Sequence, residues 1–357
     1  MYIGELSLQN FRNYNYLNLV LHPGINVFVG DNAQGKTNIL EAIYLCATAR
    51  SHRTNKEREV IKWDQDDAHI KMKIQKKYVE DTIDFHIDNR GKGVAVNRIP
   101  IKRLGDLLGV LNVVMFSPED LKMVKRSPGE RRRFIDIELS QLDRVYYDAL
   151  GKFHKVLKQR NNLLKKFDNI NDASNVLEVW DLQMIEYGSI VINKRQDFIN
   201  ELQEIAQEIH YNISGGKEKL EIVYEPSVTT KQYQERLTAN HQKDIFRRST
   251  SIGPHRDDMA FLINDMDVRT YGSQGQQRTV VLSIKLAQLR MIQGILGEQP
   301  VLLLDDVLSE LDYHRQQFLF THTKDIQTLI TCTGIEEGVW NKQNIGKLFK
   351  VNKGVVS

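Results

Sequence analysis

Gly30-Asp31-Asn32-Ala33-Gln34-Gly35-Lys36-Thr37 is a glycine loop closed by a lysine and a hydroxyl, the residue types that hold a polyphosphate. Glycine lets the backbone turn sharply, so that successive N–H groups converge on one centre. Lys36 is suited to the β- and γ-phosphates, and the Thr37 hydroxyl to one position on Mg²⁺. Two carboxylates stand far downstream, where Val301-Leu302-Leu303-Leu304 ends in Asp305-Asp306. Asp305 is expected to hold Mg²⁺, through water, and Asp306 to orient or deprotonate an attacking water. Between them lies Tyr271-Gly272-Ser273-Gln274-Gly275-Gln276-Gln277-Arg278-Thr279. A hydroxyl and backbone amides opening a long helix make a second anion site at Ser273, Gly275 and Gln276. One nucleotide does not need two γ-phosphate sites. The second is expected to serve a nucleotide held by another copy, giving a homodimer closed around two ATP molecules.

Such a site needs a buried strand ahead of the loop and a helix behind it. Ile25-Asn26-Val27-Phe28-Val29 reads as the strand, and the apolar spacing from Asn38 to Leu45 as the helix. The carboxylates need a strand of the same parallel sheet, since ligands sit at the carboxyl ends of such strands. Strand-like alternation covers Tyr2 to Leu8 and Tyr16 to Leu21, then Ala68 to Lys76, Thr82 to Asp88 and Val94 to Ile101, with hairpin-length links among the last three. At Ser117-Pro118-Glu119-Asp120, a good helix start, the pattern turns helical, with Phe134 to Phe167 and Val176 to Ile213 as the long runs. Only Lys219 to Tyr224 interrupts with an alternation. The expected architecture is α/β: a head with a mixed sheet formed by residues 1–117 and 248–357, and an inserted, mainly helical second domain over 118–247.

The chain has 357 residues, enough for two domains, and a net charge of only +3. Any nucleic-acid surface must therefore be local. No apolar run approaches the roughly 18 residues of a membrane span, and the first residues lack a leader pattern. Cys46 and Cys332 lie far apart inside apolar segments. They are expected as buried free thiols, which suits a reducing cytoplasm.

The order of glycine loop, signature serine, Asp-Asp strand end and Ser309-Glu310-Leu311-Asp312 resembles the SMC-like branch of ABC-type ATPases. Finer strings resemble the RecF recombination-repair family. They are Asn10-Phe11-Arg12-Asn13-Tyr14, Arg50-Ser51-His52-Arg53-Thr54, Phe116-Ser117-Pro118-Glu119-Asp120-Leu121 and Gly253-Pro254-His255-Arg256-Asp257-Asp258. The resemblance implies a bacterial cytoplasmic protein with an ABC-type head that binds DNA in an ATP-dependent way, hydrolyses ATP slowly and dimerises on ATP. It implies work with RecR and RecO to place RecA at gapped DNA. Carried over by position, residues 30–38 with Asn38 hold the nucleotide, Lys36, Asp306 and Ser273 act in hydrolysis, and Thr37 and Asp305 belong to the metal. Arg12 stands where relatives place a basic residue near the nucleotide, and Asp312 in the loop between the two sites. Three departures matter. Asp306 replaces the usual Glu, one methylene longer; no Gln stands near Ser117; and the switch histidine is absent, with Thr331 and Thr333 nearby. His255 is expected to be structural or interfacial.

From Asp120 to Ile170 thirteen basic residues face seven acidic ones, a net +6 that exceeds the whole chain's charge. Arg131, Arg132, Lys155 and Lys158 are the expected phosphate contacts, with Arg50 and Arg53 as further candidates. Neutralising about six phosphates predicts a log–log salt slope near −5. No interleaved aromatics suited to base stacking stand there, so sequence-independent duplex binding is expected. Two other readings remain open: an ABC subunit driving a membrane transporter, disfavoured by the basic helical insert, and a scaffold that binds ATP without hydrolysing it.

Overall fold

The computed structural model describes residues 1–54, 56–166, 170–334 and 345–357. Its strands are β1 (Tyr2–Phe11), β2 (Tyr14–Val20), β3 (Ile25–Val29), β4 (Asp67–Gln75), β5 (Glu80–Asp88), β6 (Gly91–Val96), β7 (Ile99–Pro100), β8 (Val113–Phe116), β9 (Leu220–Glu225), β10 (Asp258–Ile263), β11 (Met266–Asp267), β12 (Val301–Asp305), β13 (Thr328–Cys332), β14 (Ile345–Asn352) and β15 (Val355–Val356). Its α-helices are α1 (Lys36–Thr48), α2 (Leu121–Lys125), α3 (Pro128–Leu142), α4 (Arg144–Leu164), α5 (Ile170–Ile213), α6 (Tyr233–Ala239), α7 (His241–Arg247), α8 (Val268–Tyr271), α9 (Gln274–Leu296) and α10 (Tyr313–His322).

The first unit comprises Met1–Leu121 and Val281–Ser357. One of its sheets has the order β15-β14-β3-β13-β12-β8, with every pair from β14 to β8 parallel. Its central strands β3, β13 and β12 are buried almost throughout, as parallel strands covered on both faces must be. Val301 to Leu304 and Val113 to Val114 are all but inaccessible. The other sheet, β2-β1-β4-β5-β6-β7, is an antiparallel meander whose buried and exposed residues alternate. Gln327 ties the two together. Its buried amide accepts from Ile3 N at 2.7 Å and donates to Ile3 O and His22 O at 2.8 Å.

The second unit is Lys122–Val280. It returns to the first at 281, later than the expected 248, because β10 pairs in full with β9 of the inserted segment. A three-stranded sheet, β11-β10-β9, therefore lies inside the mainly helical unit. The helix expected from Phe134 to Phe167 is two helices. Asp143 adopts extended backbone (φ −132°, ψ 106°) and caps α4 by accepting from Tyr146 N at 2.9 Å. Phe167 itself lies outside the described residues. Among the described helices, α9 alone is long and apolar enough to cross a membrane, and 72% of its most apolar stretch is buried within the protein, as in a core helix. Cys46 is a buried free thiol and Cys332 a partly buried one.

Candidate nucleotide-binding site

The parallel sheet gathers the site by register. β13 lies between β3 and β12, with Thr331 opposite Phe28 on one side and Asp305 on the other. The loop that follows β3 and the carboxylates that end β12 therefore emerge at the same edge, one strand apart. Thr37, on the first turn of α1, donates its hydroxyl to Asp305 Oδ1 at 2.8 Å. Thr331 donates to the same oxygen at 2.8 Å and receives Asp306 N at 3.0 Å. Sequence reasoning noticed Thr331 only as a missing histidine, yet it sets both aspartates. Asp306 has φ 51°, a left-handed conformation that Asp and Asn tolerate better than other non-glycine residues. Ser309 Oγ closes the turn on Asp306 O at 2.8 Å.

The loop's glycines are needed as glycines at two positions. A Cβ on Gly30 would lie 2.2 Å from Val351 O, and Gly35, at φ 115°, has the Asn13 side chain and Tyr14 hydroxyl against it. The string Asn10-Phe11-Arg12-Asn13-Tyr14 braces the loop. Asn13 Nδ2 donates to Gln34 O at 2.9 Å, Tyr14 Oη to Gly35 O at 3.0 Å, and Asn38 Nδ2 to Asn13 Oδ1 at 2.8 Å. Gln34 also accepts from the β14–β15 turn, through Lys353 N and Gly354 N. Ala33 takes φ 63° at the top of the loop. Asp31 and Asn32 are exposed or nearly so.

Lys36 is 3% exposed, and its ammonium donates to Gly30 O at 2.7 Å and Asp31 O at 2.9 Å. An ammonium has three donors, so one remains for an anionic oxygen. Asp305 is 7% exposed and spends Oδ1 on two hydroxyls. Its second oxygen and the Thr37 hydroxyl are hard oxygen donors of the kind that suit Mg²⁺. Loop, ammonium and carboxylate thus fit a magnesium-bound polyphosphate.

Arg12 lies next to this cradle, but a carboxylate already holds it. Its Nε and Nη2 donate to Glu41 at 2.9 and 2.6 Å, and it takes φ 53°. Glu41 is wholly buried on α1 and also accepts from Ser51 at 2.6 Å. Burial alone would push its carboxyl up. The hydrogen bonds from Arg12 and Ser51, with the charge of Arg12, outweigh that and hold it below the usual range. Burial drives neighbouring His52 down to about 4, against the opposing pull of Glu41 and Asp305. Arg53 turns back onto α1, donating to Asn38 Oδ1 at 2.8 Å. Arg50 is exposed. Glu41 escaped sequence reasoning because a glutamate in a helix reads as a solvated one.

Ser273 belongs to the second unit and opens α9. Ser273 N donates to Gln276 Oε1 at 2.9 Å and Gln276 N to Ser273 Oγ at 3.2 Å. This reciprocal pair satisfies orphan donors of the helix start. Gln276 Nε2 reaches Glu218 at 2.9 Å, Gly275 O accepts from Thr279 at 2.8 Å, and Ser273 itself is exposed. Asp312 caps α10, accepting from Arg315 N at 2.9 Å.

The basic residues of the second unit divide sharply. Lys155 and Lys158 are exposed on α4. Arg131 is corrected: it is 3% exposed, paired with Asp258 at 2.6 and 2.9 Å, and bonded to Met123 O and Arg126 O. Arg132 is half-buried and donates to Asp257 O at 2.6 Å. Arg160, counted among the thirteen, is wholly buried between Asp181 and Asp244 at 2.7 Å each. Periodicity cannot tell a buried arginine from an exposed one. The Gly253–Asp258 string is the hub of this network. Pro254 O and Asp257 receive Arg195, Asp258 receives Arg131, and His255 packs against Phe153, driven to about 4 by burial.

The AAA domain family matches residues 5–214. A curated DNA replication and repair protein RecF from Lachnospira eligens is 48% identical over all of this chain and 99% of its own. Its counterpart from Agathobacter rectalis is 50% identical at the same coverage. The solved structure of the recombination mediator protein RecF with ATP, in the RecFOR pathway, superposes with TM-score 0.93 at 35% identity, covering 100% of this chain and 97% of that one. The Smc head domain of Pyrococcus furiosus, at 17% identity and TM-score 0.56, shares the fold. Identity of this order along the full length, with the same fold, decides the matter: the chain belongs to the RecF family of DNA replication and repair proteins.

Proposed function

We propose that this chain is an ATP-dependent DNA-binding protein of recombinational repair, with a slow ATPase that times its hold on DNA. The observation that carries the reading is the 2.8 Å bond from Thr37 to Asp305, two residues 268 positions apart that meet at the mouth of the glycine loop. Lys36, the loop amides and Asn38 bind the phosphates, and Thr37 and Asp305 hold Mg²⁺. When bound, the metal would neutralise phosphate charge and polarise the γ-phosphoryl group. Asp306 accepts a proton from the attacking water. Its carboxylate is one methylene shorter than the Glu usual at this position, which supports slow turnover.

Ser273 acts on the nucleotide of a second copy. Its hydroxyl and the first amides of α9 form an exposed anion-binding helix start, and a symmetric pair of copies would enclose two ATP molecules. DNA is held by the exposed lysines of α4, without regard to sequence. Relatives act in the RecFOR pathway, which supports RecR as the direct partner, RecO alongside it, RecA loaded at gapped DNA, and a cytoplasmic setting.

The test is mass in solution by light scattering, with and without ATP, on the native chain and on Ser273→Arg, with labelled duplex added. The expected result is an ATP-dependent shift from monomer to dimer, lost in Ser273→Arg while ATP still binds, with duplex retained by the dimer. A shift indifferent to Ser273, or none, would refute the trans site.

A further inference from the structure

The helix start at Ser273 is held from behind by a carboxylate that sequence reasoning did not single out. Where α5 ends, Gly215 and Gly216 take φ 65° and 78°, and Gly216 N returns to Tyr211 O at 2.8 Å, a left-handed helix ending that glycine permits. The chain is thereby folded back, and Glu218 comes to lie against the turn it has just left. Glu218 N donates to Ser214 Oγ at 3.2 Å. Glu218 Oε2 is 3.0 Å from Nε2 of His210, a wholly buried side chain. The next residue is pinned on the turn between β10 and β11: Lys219 N donates to Asn264 Oδ1 at 2.9 Å, and Lys219 O accepts from Asn264 N at 3.0 Å. Glu218 thus stands on a fixed backbone, with Oε2 given to His210 and Oε1 accepting from Gln276 Nε2 at 2.9 Å.

The carbonyl end of the same Gln276 amide accepts from Ser273 N at 2.9 Å. The two ends of that amide are not interchangeable. A carboxylate only accepts, so Glu218 selects the NH₂ end and leaves the carbonyl for Ser273 N. With the amide reversed, two donors would face each other at Ser273. A free glutamine also samples many rotamers, and the bond to Glu218 keeps this one beside the helix start. His210, Glu218, Gln276 and Ser273 therefore form one line of hydrogen bonds within the second unit, from the buried last turn of α5 to the exposed start of α9.

We propose that Glu218 is a positioning residue for the trans nucleotide site. Acting through Gln276, it fixes the Ser273 hydroxyl and the first amides of α9 in the form that meets the γ-phosphate held by a second copy. The assignment rests on the trans-site reading above. Glu218 touches no nucleotide itself. ATP binding to the glycine loop of its own chain does not depend on it, whereas ATP-driven pairing of copies does. A symmetric dimer contains the contact twice, so each loss counts twice.

Light scattering across an ATP titration gives the dimer dissociation constant, and equilibrium binding on dilute protein gives the ATP affinity of the monomer. Both are measured on the native full chain and on Glu218→Ala, Glu218→Gln, Gln276→Ala, Glu218→Ala combined with Gln276→Ala, and Ser273→Arg. In Glu218→Ala the dimer should weaken about tenfold or more, with monomer ATP affinity unchanged. Glu218→Gln keeps an acceptor for Gln276 Nε2 and should stay within about threefold of the native chain. Because Glu218 acts through Gln276, the double variant should lose no more than Gln276→Ala alone. Dimers of native strength in Glu218→Ala, with Ser273→Arg monomeric, overturn the proposal and leave the trans site standing. Losses that multiply in the double variant, or an equal loss of monomer ATP affinity, also overturn it, since Glu218 would then support the fold at large. So does a loss in Glu218→Gln as deep as in Glu218→Ala, which would make charge rather than acceptance the cause. Dimerisation absent from the native chain, or indifferent to Ser273→Arg, refutes the trans-site reading and the role of Glu218 with it.

Discussion

At the scale of single residues, the sharpest question is what Asp306 does. It sits beside Asp305 and shares Thr331 with it, yet its burial and backbone differ. Asp305 is buried and spent on two hydroxyls, whereas Asp306 is partly exposed and turned by a left-handed backbone. Asn tolerates that conformation as well as Asp does, so Asp306→Asn changes the charge and spares the turn. If Asp306 is the base, phosphate release should fall by about a hundredfold or more, while ATP binding and ATP-driven dimerisation persist. Single-turnover phosphate release beside light scattering measures both. Unchanged release would favour the scaffold reading, in which ATP only joins two copies. Asp305→Asn should behave differently, weakening the bonds from Thr37 and Thr331 and lowering Mg²⁺-dependent ATP affinity by about tenfold or more, as nucleotide titration with and without Mg²⁺ would show.

At the scale of elements, two buried imidazoles make stability depend on acid. His255 holds the Gly253–Asp258 turn in place through its bond with Thr250 O at 3.1 Å, and its Nδ1 is buried without a partner. His52, behind α1, has the same orphan nitrogen. Burial holds each near 4, while an unfolded histidine takes its proton near 6.5. Between those values the unfolded chain binds more protons, so stability falls as pH drops from about 6.5 to about 4. Each group can contribute on the order of 2 kcal/mol at pH 5. His255→Gln keeps an amide near the Nε2 position and cannot titrate. Its melting temperature should fall less between pH 7 and pH 5 than that of the native chain, by about 5 °C. An equal fall would remove His255 from the account. The turn itself was legible as a string without any visible reason for it. The loop, the strand before it and the Asp-Asp strand end were legible because each is a pattern of five to eight adjacent residues. Thr331 and Glu41 were not, because their roles depend on register and burial between distant segments. The break at Asp143 was missed because helices run on both sides of it with one residue between them.

At the scale of the whole molecule, DNA affinity must come from charge that is both basic and accessible, and the structure shortens that inventory. The count of +6 over residues 120–170 included Arg131 and Arg160, whose guanidinium groups are buried against carboxylates of their own unit. Lys152, Lys155 and Lys158 follow one another at every third position of α4 and are exposed, a spacing that keeps neighbours on one side of a helix. Removing Lys155 and Lys158 together, as Lys155→Ala with Lys158→Ala, should reduce the log–log salt slope for duplex binding by about 2 if each neutralises one phosphate. The melting temperature should not change, since surface lysines contribute little to stability. Arg131→Ala is the contrasting variant. It strands Asp258 and should destabilise the second unit by about 3 kcal/mol, with the salt slope of the protein that remains folded unaltered. The two variants therefore separate charge that meets phosphate from charge that holds the fold. Duplex titrations across a salt series, paired with melting curves, read both. A slope unmoved by the lysine pair would place the DNA on another surface, and Arg50, exposed at the end of α1, would be the next residue to change.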